Sequence, residues 1–117
     1  MRLLMSFCLM ALPTALWADT PEIVRASAQK SGDTWNFSVT LRHGDTGWDN
    51  YADGWEVLDP SGERLGYREL FHPHVNEQPF TRSLGGVSVP ADLDHVLIRA
   101  RDNVTGWGEE TFRLDLP

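Results

Sequence analysis

The stretch Thr34-Trp35-Asn36-Phe37-Ser38-Val39-Thr40-Leu41-Arg42 alternates without a break. Trp35, Phe37, Val39 and Leu41 fall on one side, and Asn36, Ser38, Thr40 and Arg42 on the other. Successive side chains of an extended backbone point in opposite directions, so a period of two marks a strand with one buried face. The pattern recurs downstream. Val96, Ile98 and Ala100 oppose His95, Arg99 and Arg101, with Leu97 the one misfit, and Phe112, Leu114 and Leu116 oppose Thr111, Arg113 and Asp115. Trp55 and Val57 share a face before Asp59-Pro60-Ser61-Gly62, a strong turn signal, and 64–71 resumes as a strand. Weaker strands are expected over 22–29 and 80–84. No segment sustains a helical period.

About seven short strands separated by turns, with no helix, predict an all-β fold, a single antiparallel β-sandwich. The expected core is Trp35, Phe37, Val39, Leu41, Trp55, Val57, Tyr67, Phe80, Leu84, Val96, Ile98, Phe112, Leu114 and Leu116. A chain of 117 residues has room for one such domain.

The N-terminus reads differently. Met1-Arg2 opens an apolar run over 3–17, with Ala15 and Ala18 placed for cleavage before Asp19. That is the layout of a secretory signal peptide, residues 1–18, leaving a mature domain over 19–117. The alternative is a lipoprotein with Cys8 as the lipidated residue, although Cys8 follows too short a stretch to have crossed a membrane. Cys8 is the only cysteine, so the mature domain has no disulfide and must be held by its core. Loss of Arg2 with the leader takes the formal net charge from −7 to −8. An acidic domain whose one lysine is Lys30 is repelled by phosphate backbones, which argues against nucleic acid as a partner. The expected location is outside the cytoplasm: the periplasm of a Gram-negative cell, otherwise secreted. No membrane span is expected in the mature chain.

The C-terminal stretch His-Val-Leu-Ile-Arg-Ala-Arg-Asp-Asn-Val-Thr-Gly-Trp-Gly over 95–108, continuing through Phe112-Arg113-Leu114-Asp115, resembles the last hairpin of bacterial immunoglobulin-like and fibronectin III-like domains. Trp55 resembles the core tryptophan of such sandwiches. The resemblance implies an immunoglobulin-like arrangement and carries no activity with it. It also implies that the loops 43–53, 72–78 and 102–108 gather at one end of the sandwich, with His95 at the other.

Those loops hold the unusual residues. His72 and His74 flank Pro73 and, two apart on an extended backbone, can face one ion. With His43 and a carboxylate from Asp45 or Glu77 they form a nitrogen and oxygen set that suits Zn(II) or Cu(II). The competing expectation is structural: a proline-flanked histidine closes a turn on backbone carbonyls, and Glu77-Gln78 satisfy stray N–H groups. Trp48, Tyr51, Asp49 and Trp107 form a further candidate surface for a protein or small ligand, with Trp107 expected to fold inward and cap the open end. The series Asp45, Asp49, Asp53 only weakly suggests calcium, since it departs from the helix-flanked calcium loop. No nucleophile elbow, phosphate loop or dinucleotide fingerprint occurs, so a non-catalytic binding or accessory domain is expected.

Overall fold

A computed structural model of the chain describes residues 20–117; the expected leader over 1–18 lies outside the described residues. The alternating stretch forms β2 (Thr34–Arg42), the central strand of a three-stranded antiparallel sheet between β1 (Glu22–Ser31) and β5 (Phe80–Val87). The second sheet is built from β3 (Ala52–Leu58), β4 (Arg64–Glu69), β6 (His95–Asp102), β7 (Gly106–Trp107) and β8 (Phe112–Asp115). Its order is β4-β3-β6-β7, and β8 also pairs with β6, every pairing being antiparallel. The expectation of about seven strands becomes eight because β7, two residues long, forms within the segment 102–108 expected as a loop.

The two sheets pack apolar face to apolar face. Trp35, Phe37, Val39 and Leu41 from β2 share a core with Trp55 and Val57 from β3, and with Val96, Ile98 and Ala100 from β6. Each fully buried valine, leucine, isoleucine or phenylalanine among them contributes about 1.5–3 kcal/mol of transfer free energy. Phe80 and Val87 on β5, and Leu70 just past β4, complete it.

Tyr67 corrects the expected core. It sits on the outer face of the second sheet, paired with Glu56 and 36% exposed. Its ring crosses Gly54, where an added β-carbon would stand 2.7 Å from the phenol oxygen, so only glycine lets the ring lie there. The Asp59 turn forms as expected. The Asp59 carboxylate accepts hydrogen bonds from the Ser61 and Glu63 N–H groups and the Ser61 hydroxyl, which holds its pKa below the ordinary value. Gly62 closes that turn at φ +94°.

Register gives the molecule two distinct poles. Glu22 pairs with Arg42, Leu41 with Phe80, Gly54 with Glu69, and Ala52 with Asp102. The start of β1 therefore lies at the same end as the loops 43–51, 70–79 and 103–105. The turn 32–33, the Asp59 turn, the loop 88–94 and the end of β8 lie at the other, where His95 pairs with Asp115.

Candidate functional site

The inward alternation of β2 continues one step beyond the strand. His43 takes the next core-facing position after Leu41 and is buried. A buried imidazole needs a partner, and Asp45 supplies one two residues on. His43 Nδ1 lies 2.5 Å from Asp45 Oδ1, and neither side chain has any exposed surface. Asp45 Oδ1 also accepts the Ala52 N–H at 3.0 Å, and Oδ2 accepts the His74 N–H at 2.8 Å. Gln78 adds a second bridge. Its Oε1 accepts the His43 N–H, and its Nε2 donates to the His74 carbonyl, each at 3.0 Å. Asp45 and Gln78 thus fasten the His-Pro-His segment to the end of β2. The segment 72–78 is a loop and not an extended edge strand, with His72 exposed and His74 buried.

His74 turns inward and stacks flat on Phe80, with ring centroids 3.9 Å apart and planes 10° apart. Its Nε2 lies 2.8 Å from Arg82 Nη2. A guanidinium only donates, so Nε2 accepts, and the ring is neutral with its proton on Nδ1. That Nδ1 is buried without a hydrogen-bond partner. Burial, then the Arg82 charge and then His72 push the His74 pKa below its ordinary 6.5, while Asp45 and Glu77 oppose the shift. A lowered pKa means that the unfolded chain binds the proton more tightly. The stability that neutral His74 provides is therefore complete above pH 6.5 and is lost as pH falls from there through the depressed folded value. Urea midpoints should fall over that window, and His74→Gln should flatten the fall; equal slopes in both proteins would place its origin elsewhere.

His72 stays exposed, its Nδ1 3.4 Å from the Pro73 carbonyl and its ring centroid 4.7 Å from that of His74. Glu77 is exposed and pairs with Arg82 at 3.5 Å. The expected metal set of His72, His74, His43, Asp45 and Glu77 does not converge. Among the described residues no three His, Cys, Asp or Glu side chains are grouped to hold a metal ion. The reason is local: His43 and Asp45 face each other, His74 Nε2 faces a guanidinium, and Glu77 follows Arg82 outward. The aspartate series separates as well. Asp45 is in the hub, whereas Asp53 pairs with Arg101 at 2.9 Å on the outer sheet face.

Trp48 is 66% exposed and meets Tyr51 edge-on at 5.6 Å. Asn103, from the β6–β7 loop, braces that loop. Its Oδ1 accepts the Tyr51 N–H, its Nδ2 donates to the Trp48 carbonyl, and its own N–H donates to the Tyr51 carbonyl. Asp102, buried at the end of β6, accepts from the Val104 and Thr105 N–H groups and the Thr105 hydroxyl. The pole is therefore cross-linked by Asp45, Gln78 and Asn103, while its tips project outward. Gln78 does what the structural expectation gave it, satisfying a stray N–H group; Asn103, in a loop, and Arg82, on β5, were not among the expected site residues, and no period in the sequence marks them.

Trp107 corrects another expectation, since it does not cap the open end. It lies on β7 beside Arg101, on the outer face of the second sheet. The guanidinium carbons of Arg99, Arg101 and Arg64 stand 4.9, 5.4 and 5.6 Å from its ring, and Tyr67 meets it edge-on at 6.0 Å. Beneath them Glu56, 1% exposed, binds Arg99 through Oε1 and Arg64 through Oε2. The arginine pair at 99 and 101, alternating toward the same face as Tyr67, was the available sequence signal for this stack.

No family model matches the chain, and no solved structure matches it. A Halomicrobium mukohataei protein named "Putative lipoprotein" is 46% identical over 79 residues, which cover 68% of this chain and 38% of that protein. The chain thus spans well under half the length of this relative.

Proposed function

We propose that the chain is an exported, non-catalytic accessory domain that binds through the tips of its loop pole, with the His-Pro-His segment serving as a turn. The observation that carries this is the contrast within the pole: its frame is fastened by Asp45, Gln78 and Asn103, yet Trp48 stays 66% exposed. A rigid frame with protruding aromatic tips suits binding, because little order is lost on contact. The groups with catalytic potential, His43, Asp45 and His74, are buried against one another. Export is supported by the leader-like sequence and by the lipoprotein name of the relative. The strand orders β1-β2-β5 and β4-β3-β6-β7 support an immunoglobulin-like or fibronectin III-like reading of the sandwich.

Two measurements on the purified protein test this against the metal and capping readings. Calorimetric titration with Zn(II) or Cu(II) should give no micromolar binding, because a ligand bond at His74 Nε2 must displace Arg82 and set a cation beside a guanidinium. Micromolar affinity lost in a His72→Ala/His74→Ala double variant would restore a metal role. Trp48→Ala should leave the melting temperature unchanged within a few degrees, as for an ordinary surface substitution. A drop of ten degrees or more would make Trp48 a cap.

A further inference from the structure

A groove of about 840 Å³ opens along one side of the sandwich, between the start of β1 and the edge of the second sheet. An irregularity in that edge forms one wall. Gly108 donates to the Ala100 carbonyl and Phe112 pairs with Ile98, so residues 109–111 loop outward where β6 offers only Arg99. Ile23, Ala100 and Phe112 supply the apolar lining, and Glu22, Glu109 and Glu110 the acidic one. Among the described residues no lysine or arginine lines the groove. Glu22 meets Arg42 at 3.4 Å in an exposed pair, whereas neither Glu109 nor Glu110 has a cationic partner among the described residues. The other wall is a strand edge. β1 pairs only with β2, so the outer side of this ten-residue strand carries N–H and C=O groups that no ladder uses.

We infer that this groove takes an extended basic peptide, a segment of a partner protein in which lysine or arginine alternates with an aliphatic residue. Each wall selects part of that chemistry. The free edge of β1 offers main-chain hydrogen bonds to an added strand. Side chains of such a strand alternate, so every second one enters beside Ile23 and Phe112 while the others face outward beside Glu22. The unpaired carboxylates of Glu109 and Glu110, across the groove, complement the basic positions. A small amine would leave the strand edge unused. A second copy of the chain would bring a formal net charge of −7 to an acidic rim. The groove does not include the Trp48 loop, so this inference stands apart from the reading proposed above.

The test follows the fluorescence anisotropy of a fluorescein-labelled peptide of alternating lysine and valine, titrated with the full chain at low salt. Saturable micromolar binding is expected, weakening as salt is added. Glu109→Lys combined with Glu110→Lys should reduce the affinity about tenfold or more, with circular dichroism unchanged because both side chains are exposed. Methylating the backbone nitrogens along one edge of the peptide keeps its charge but removes the donors for strand addition, and should weaken binding as much. No saturation at millimolar concentration, or binding that the double variant leaves unchanged, overturns the inference. A methylated peptide that binds as well as its parent also overturns it, leaving only the general attraction of a cation to an acidic protein. Trp48→Ala should not change the affinity; a loss there would move the peptide to the loop tips and away from the groove.

Discussion

Asp45→Ala is expected to lower the unfolding free energy by about 3–5 kcal/mol, the range found when one partner of a buried pair is removed. The substitution would leave the wholly buried His43 ring without its carboxylate. It would also strip the Ala52 and His74 N–H groups of their acceptor, and an orphaned buried donor costs about 1–3 kcal/mol. For a domain of this size the loss corresponds to a melting temperature lower by about 20 °C, read by far-ultraviolet circular dichroism. Asp45→Asn keeps one acceptor oxygen and should lose less. A shift of only a few degrees for Asp45→Ala would mean that the loops hold their places without the hub.

Glu56→Ala is the second large expected effect, about 2–4 kcal/mol by urea unfolding. Glu56 receives Arg99 through Nε and Nη2, at 3.0 and 2.6 Å, and Arg64 through Nε at 2.8 Å. Both arginines are partly exposed and can rehydrate when the carboxylate is lost, which places the expected loss below that for Asp45. Glu56→Leu restores volume under the stack and should recover part of it. The distinguishing readout is Trp107, because the arginines that flank its ring are positioned by Glu56. Its indole resonance should broaden in Glu56→Ala and stay sharp in a surface control such as Asp33→Ala. An unmoved Trp107 would show that the stack holds itself.

The strands were legible because burial on one face writes a period of two into the sequence, as in β2, and no helical period competes with it. Tyr67 was misplaced for a physical reason. On β4 an aromatic residue alternates with Gly66 and Arg68, and apolarity alone does not say which face is buried. Gly66 takes the inner position because Leu84 and Val87 of β5 close in on it, with an added β-carbon 3.0 Å from the nearest Leu84 carbon. Glu56 was invisible because an acidic residue at an outward position reads as solvated. Its ion-pair partners are Arg99, opposite it on β6, and Arg64 from β4, and pairing between strands is not written in local spacing. His43 and Asp45 were named as candidates; that His43 is buried could have been read by extending the β2 alternation one step, with Asp45 as the nearest partner. The sequence did bring together the correct loops, but it did not show the division within them, where His74 is drawn inward by Phe80 and Arg82 while His72 stays exposed.

The placement of the first and last strands has a mechanical consequence. Thr20 enters at one pole and β8 finishes at the other, so the fold is traversed end to end over about 30 Å, the length of a nine-residue strand. Tension applied between those ends runs along the strands. It loads the β1–β2 and β6–β8 ladders in shear, where many hydrogen bonds share the force, and does not peel them one at a time. In a longer polypeptide the domain would serve as a stiff spacer that resists stretching.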